Sequence, residues 1–309
     1  MRGGKQGSEG EILDSVRRRV RLPRGSRVIL GIGDDCAIFR PRGAAEDLLF
    51  TTDMLIEGIH FRHETHPPEA VGHKALARGL SDIAAMGGVP RFCLLSLAVG
   101  RAANRRWISR FYNGLLRLSA STGTPLAGGD LAHAERTALD IVVCGGVPRG
   151  EALRRDGARP GDAIYVSGRL GGSALGLASQ RGRSWARHLR PEPRLALGVF
   201  LRERIGATAA MDLSDGLSLD LRRMALASGL EAAIDSPPRF PGATVAQALH
   251  GGEDYELLFT VPPATKVPQN FGALPLTRIG VMQRGKAGAV YLSGEPLAPE
   301  GYDHFRKSP

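Results

Sequence analysis

The chain has 309 residues, 42% hydrophobic and 23% charged; the length exceeds what one core usually serves and the composition is ordinary for a globular protein, so two domains are expected. Lys and Arg outnumber Asp and Glu by 41 to 31, a net charge of +10, but only five of the 41 are lysines and no RNP motif, finger spacing or heptad run accompanies them, so the charge reads as surface bias that also suits anionic substrates, with no nucleic-acid partner expected. No apolar stretch is long enough to span a bilayer, residues 1–9 lack the apolar middle of a signal peptide, and Cys36, Cys93 and Cys144 are too far apart for a disulfide framework or a zinc cluster; a cytoplasmic protein with buried free thiols and no membrane partner is expected.

In chain order, residues 11–20 read as a short amphipathic helix, followed by a turn at Pro23-Arg24-Gly25 and an apolar strand over 28–32. A second strand covers 48–52. Residues 67–86 read as a helix that Pro67 and Pro68 open and Gly87-Gly88 close. Strand is predicted over 92–99, helix over 107–121 and strand over 139–143. Residues 148–161, rich in Gly, Pro and Arg, are the linker candidate, with a turn at Arg159-Pro160-Gly161-Asp162. A strand over 163–166, a glycine-rich turn over 168–173 and a helix over 174–179 follow. The helix over 217–227 carries Leu217, Leu221, Met224 and Ala225 on one face, and 256–261 is a strand. Strands and helices alternate without a short repeat, so the fold class is α/β or α+β.

The aspartates stand at the ends of apolar runs, beside glycines. They are Asp34-Asp35 in GIGDDCAIF, Asp53 in LLFTTDMLIEGIHF, Asp82 in LARGLSDIAAMGG, Asp130 in LAGGDLA, and Asp212 with Asp215 in AAMDLSDGL. Each has a plainer reading. Asp34-Asp35 and Asp130 suit turns, and Ser214 or Asp215 suits the cap of the helix from Leu217. Asp82 lies near the end of its helix, where the macrodipole disfavours an anion, and off the Leu76, Leu80, Ile83 stripe; a nearby cation explains it, and so does simple exposure. Converging carboxylates would need counter-ions, since two unit charges ~5 Å apart repel by roughly 3 kcal/mol at an effective dielectric of 20. An all-oxygen donor set without paired His or Cys points to magnesium over zinc, and such sites serve phosphate chemistry. No GxxxxGK[ST] occurs, which excludes a P-loop. The turn at 168–173 offers backbone N–H groups to an anion, as turns of many βα units do.

GIGDD (31–35), TTDMLIEGIHF (51–61), KALARGLSDIAAMGGVP (74–90), GGD (128–130), DLSDGL (212–217), GGEDYELLF (251–259) and GYDHF (301–305), in this order and at these separations, resemble the thiamine-monophosphate kinases over about residues 9–305. The family is similar in fold and ATP use to aminoimidazole ribonucleotide synthetase, selenophosphate synthetase and the hydrogenase-maturation dehydratase. The reactive cysteines of the last two are absent: none precedes Cys36, and the chain ends Arg306-Lys307-Ser308-Pro309. The resemblance implies a two-domain synthetase-like α/β fold. An N-terminal domain, 1–148, would bind ATP and Mg²⁺ and form a β-barrel across a homodimer; a C-terminal α/β domain, 149–309, would complete the cleft.

By motif match the resemblance implies several Mg²⁺ ions on Asp35, Thr51, Thr52, Asp53, Asp82, Asp130, Asp212 and Asp215. ATP as co-substrate would meet Gly129, Asp130, Arg155 and Ser214. Thiamine monophosphate would meet His60 and Glu253; apart from the motif these read as a core histidine and a strand-edge acid. Some members carry a stacking tryptophan where this chain has Pro299, and Tyr302 is the substitute expected here. Leu131-Ala132 after GGD replace hydroxyl residues frequent in the family. The expected reaction is direct in-line phosphoryl transfer with no general base. Two alternatives stand beside it: another ATP-dependent enzyme of the superfamily, lacking the His60–Glu253 pocket, or a basic nucleic-acid-binding protein.

Overall fold

The computed structural model describes residues 8–23 and 25–305; residues 1–7, Arg24 in the predicted turn, and the 306–309 end lie outside the described residues. The first half of the chain contains α1 (Glu9–Arg19), β1 (Val28–Leu30), β2 (Ala37–Phe39), β3 (Glu46–Ile56), α2 (Pro68–Ala85), β4 (Val89–Val99), α3 (Arg105–Thr122), β5 (Leu126–His133) and β6 (Ala138–Pro148). Its sheet runs β1-β2-β3-β6-β4-β5, antiparallel except for β4 with β5, and the path is open. LAGGDLA, a turn in its plainer reading, is part of the edge strand β5. There Gly129 passes so close to β4 that a Cβ would lie 1.8 Å from the Leu95 carbonyl oxygen.

Helix α2 organises the molecule. Proline at its start and Gly87 at φ +66° beyond its end fix its limits. Of its 18 residues 14 are buried, so it is a central helix with partners on several sides rather than a surface helix with one apolar stripe. Leu76, Leu80 and Ile83 pack into the core over β3, β6 and β4. Two glycines seat α3 against it: a Cβ on Gly72 would lie 2.0 Å from the Phe111 carbonyl oxygen, and one on Gly114 would lie 1.9 Å from that of Glu69. At its C-terminal end Ala84 and Ala85 enter a separate core with Leu201, Leu257 and Phe259 of the second half.

The second half contains β7 (Ala163–Ser167), α4 (Gly172–Ser179), α5 (Gly182–Leu189), α6 (Leu195–Phe200) running into a π-helical turn (Leu201–Ile205), β8 (Ala209–Asp212), α7 (Leu217–Ala227), β9 (Glu231–Ile234), α8 (Val245–His250), β10 (Leu257–Val261), β11 (Asn270–Phe271), β12 (Leu274–Gln283), β13 (Val290–Leu292) and β14 (Glu295–Pro296). Its sheet is ordered β14-β13-β9-β12-β7-β10-β8, with β11 on β12. The fold is thus a mixed α/β structure with two sheets and α2 between them. Among the described residues no helix is long and apolar enough to cross a membrane, and all three cysteines are buried and unpaired.

The first sheet has one face against α2 and one without a partner among the described residues. Register places Phe50, Cys144 and Phe92 in one row across the outer face, Thr52, Val142 and Leu94 in the next, and Met54, Asp140, Ser96 and Asp130 in the third. Met54 is 53% exposed.

Candidate active site

The site forms along the seam where α2 meets the second half. Asp35 follows β1, Asp53 lies on the inward face of β3, Asp82 on α2, and Asp212 ends β8. One carboxylate oxygen from each of Asp35, Asp82 and Asp212 falls within 4.8 Å of the others. Thr51 donates its hydroxyl to Asp82, and Ser81 donates to Asp212 at 2.7 Å. Asp35 Oδ2 is buried and accepts no hydrogen bond among the described residues. Burial first, then mutual repulsion, pushes Asp82 and Asp212 well above the usual carboxylate range, and burial raises Asp35 although Arg155 opposes it. Such a triad holds protons or a cation.

Arg155 pairs with Asp35 at 2.5 Å and with Asp34 at 3.3 Å. Arg78 pairs with Asp53 at 2.8 Å. Arg223 binds Asp215, and also Asp220 at 2.9 Å. Asp220 is fully buried and accepts from the Asp215 and Gly216 amides at 3.0 Å each. It thereby sets the DLSDG turn, in which Gly216 takes φ +109°. Ser214 and Asp215 are presented to the cleft by that turn.

A cavity of about 320 Å³ opens beside the triad. Asp53, Asp82, Asp212, Ser214, Asp215, His60, Glu253 and Tyr302 from the sequence expectation all line it. Thr51 lies beneath Asp82, and Asp35 with Arg155 lies just behind the wall. Thr52, Gly129 and Asp130 do not line it: Thr52 and Asp130 are on the outer face of the sheet, and Gly129 and Asp130 are exposed on β5. The N–H groups of Gly171 and Ser173, the anion cradle suggested by the glycine-rich turn, are already taken by the buried Asp254 carboxylate. That turn therefore binds an internal anion.

The far end of the cavity is aromatic and polar. His60 Nδ1 accepts the Ile56 N–H at 3.0 Å, so its neutral ring carries the proton on Nε2. Burial and the nearby Arg78 lower its pKa to about 3. The rings of His60 and His304 are 5.1 Å apart, and those of His304 and Tyr302 are 4.8 Å apart edge-on. The Tyr302 amide donates to the Asp215 carbonyl at 2.9 Å, which ties GYDHF to the DLSDG turn. Glu253 has φ +64° and donates its amide to the Ser214 carbonyl at 2.7 Å. Burial would raise its pKa, but the cationic Lys74 foremost, with Arg78, overcomes this and brings it to about 2.

Sequence reasoning passed over Lys74, Arg78, His188, Asp220 and Tyr255, the last a further residue of the cavity lining. A signal for two of them was present: Lys74, Arg78 and Asp82 follow an i, i+4, i+8 spacing that puts all three on one face of α2. No local pattern marks His188, because its partners His66, Ser173 and Glu253 lie in other segments, whereas Asp220 works within its own segment, on the Asp215 and Gly216 amides and Arg223.

Two family models match the chain: the AIR synthase related protein, N-terminal domain, over residues 33–147, and the AIR synthase related protein, C-terminal domain, over residues 159–293. The thiamine-monophosphate kinase of Escherichia coli (strain K12) is 39% identical, over 93% of this chain and 95% of its own. That of Bacillus subtilis (strain 168) is 34% identical, over 91% and 95%. The solved structure of AaThiL complexed with AMPPCP and TMP superposes with a TM-score of 0.83 at 32% identity, covering 96% of this chain and 97% of that one.

Proposed function

Since the chain belongs to the AIR synthase related family, and within it to the thiamine-monophosphate kinases, we propose that the cavity along α2 is where it works as an enzyme, transferring the γ-phosphoryl group of ATP to thiamine monophosphate to give thiamine diphosphate and ADP. The observation that carries the placement is the convergence, within 4.8 Å, of oxygens from Asp35, Asp82 and Asp212 at one end of a cavity whose other end presents Glu253, His60 and Tyr302. The division at about residue 148 into an N-terminal and a C-terminal domain belongs to the same reading, as does a cytoplasmic place of work.

The residues fit magnesium. The donors are all oxygen, the triad is too crowded to be fully ionised alone, and Asp35 Oδ2 lacks a partner among the described residues. Asp35, Thr51, Asp53, Asp82, Asp212 and Asp215 would hold the ions from this chain. Bound magnesium would neutralise the phosphate oxygens as charge moves during transfer. Ser214 and Arg155 are assigned to ATP. Arg155 would then trade its contacts with Asp34 and Asp35 for phosphate.

At the other end, Glu253 is held ionised and can only accept, which suits the 4-amino group of the pyrimidine. His60 offers Nε2–H, and Tyr302 with His304 forms an aromatic wall. No side chain needs to act as a base: a phosphate monoester has a second pKa of about 6, so the attacking oxygen is already anionic at neutral pH. A neutral His60 is consistent with a binding role. What the chain supplies is alignment and charge, which is most of phosphoryl-transfer catalysis.

Thr52 and Asp130 share the outer face of the first sheet with Phe50, Met54, Phe92, Leu94 and Val142. That apolar face supports a homodimer in which two such sheets close into a barrel. Thr52, Gly129 and Asp130 would then serve a site to which both copies contribute. The whole reading is tested by ADP release with thiamine monophosphate, thiamine and unrelated phosphomonoesters. Turnover with thiamine monophosphate alone is expected; equal turnover with any phosphomonoester would transfer the chain to another activity of the superfamily.

A further inference from the structure

Behind the cavity wall, against Glu253, is a buried cation with no assigned task. Lys74 lies on the first half of α2, is 1% exposed, and sets its Nζ 2.7 Å from Glu253 Oε1. Neither Nζ nor Oε1 meets hydrogen-bond geometry with any described residue, so the ion pair is the contact that offsets this buried charge. An ammonium group removed from water this completely is costly unless its charge is matched.

Glu253 is in turn over-determined. Its backbone is left-handed, a conformation that costs a non-glycine residue, and its amide is tied to the Ser214 carbonyl. Its Oε1 is fully buried, against Lys74. Its Oε2 lies 3.5 Å from His188 Nδ1, a nitrogen that also meets Ser173 Oγ at 2.9 Å. The opposite nitrogen of His188 meets His66 Nε2 at 3.3 Å. Both histidines are buried beside the lysine charge and stay neutral, their pKa values lowered to about 3 for His188 and about 4 for His66. Lys74 is therefore the one charged contact that Glu253 makes within ion-pair distance among the described residues.

We propose that Lys74 is a positioning residue for substrate specificity: by clamping Oε1 of Glu253 it keeps the carboxylate ionised and turns Oε2 toward the cavity as the acceptor for the 4-aminopyrimidine of thiamine monophosphate. This rests on the assignment of Glu253 to the substrate made above. Removing the clamp takes away the largest of the charges that offset the burial of Glu253, which favours the protonated carboxyl, a donor where an acceptor is needed.

The test uses the full-length enzyme with Lys74→Met, Glu253→Gln and the double variant, measuring KM for thiamine monophosphate and for ATP. A second substrate, oxythiamine monophosphate, carries an oxo group in place of the 4-amino group. Lys74→Met is expected to raise KM for thiamine monophosphate by roughly tenfold or more, the size of a lost charge-assisted hydrogen bond, while KM for ATP moves less than about twofold. Its preference for thiamine over oxythiamine monophosphate is expected to shrink by a similar factor. The double variant should match Glu253→Gln alone, because both changes remove one interaction. Should Lys74→Met fail to fold, that comparison still decides, since the double variant buries a neutral pair. If Glu253→Gln leaves KM for thiamine monophosphate unchanged, the assignment of Glu253 falls and this inference with it. If Glu253→Gln impairs that substrate while Lys74→Met does not, or impairs both substrates equally, or if the losses add in the double variant, the inference about Lys74 alone is overturned.

Discussion

Replacing Asp82 by Asn should make the metal-free protein more stable and the enzyme nearly inactive, two effects of opposite sign from one carboxylate. The three oxygens of Asp35, Asp82 and Asp212 lie within 4.8 Å, and two unit charges at that distance repel by about 3.5 kcal/mol at an effective dielectric of 20. The substitution removes two of the three repelling pairs and leaves an amide oxygen as acceptor for the Thr51 hydroxyl. Because burial, and for Asp82 and Asp212 also mutual repulsion, favours the protonated carboxyls, only part of that repulsion is realised. A gain of about 1–3 kcal/mol is expected, or about 2–10 °C in Tm. The sign with pH follows from linkage. A carboxyl whose folded pKa is raised favours the folded state at low pH, and that contribution is lost as pH rises through the folded value. The advantage of Asp82→Asn should accordingly be largest in EDTA above neutrality and shrink as pH falls toward the ordinary carboxylate range. Activity should fall by at least ~100-fold at saturating Mg²⁺, about 3 kcal/mol of transition-state stabilisation. Differential scanning fluorimetry from pH 5 to 8 and an ADP-release assay measure both effects. A Tm equal to or below wild type in EDTA at pH 8, or turnover within a few-fold of wild type, would refute the reasoning.

Three further outcomes are expected. Met54→Glu places a charge at the centre of the outer sheet face and should shift sedimentation from dimer to monomer; an active monomer in the unmodified protein would remove the basis for the shared site. Mixing inactive Asp82→Asn with inactive Asp130→Asn subunits should restore part of the activity, since a mixed dimer holds one intact site if Asp130 serves the opposite copy; no recovery after demonstrated subunit exchange would count against that arrangement. ATP made chiral at its γ-phosphorus should give thiamine diphosphate with inverted configuration, as one displacement requires; net retention would mean a phosphoenzyme.

Local physics made much of this protein legible in the linear chain. Helix α2 is bounded by Pro67-Pro68 and Gly87, and those residues punctuate a helix wherever they occur, so its limits were predicted within a residue or two. The helix over Leu217–Ala227 was read from its apolar stripe with the bounds it has in the structure. The aspartates were conspicuous because so many stand beside glycines at the ends of apolar runs, a pattern that turns and caps explain one at a time but that a shared cation explains together. Ordered over the whole length, the motifs also carried the family. Other features depend on contacts between distant segments. LAGGDLA looks like a turn in isolation and becomes a strand because β4 supplies hydrogen bonds along its length and only glycine fits against Leu95. The turn at 168–173 offers N–H groups to an anion, and it is Asp254, far along the chain, that takes them. Whether Asp82 is an exposed helical acid or part of a triad depends on where β8 ends. Lys74 reads as one more surface lysine until α5 and the GGEDYELLF segment close over it. A linear chain states which groups are present and which local shapes they favour, but the environment of a charge is made by residues remote in the chain, and that environment decides whether the charge is solvated, paired or poised for chemistry.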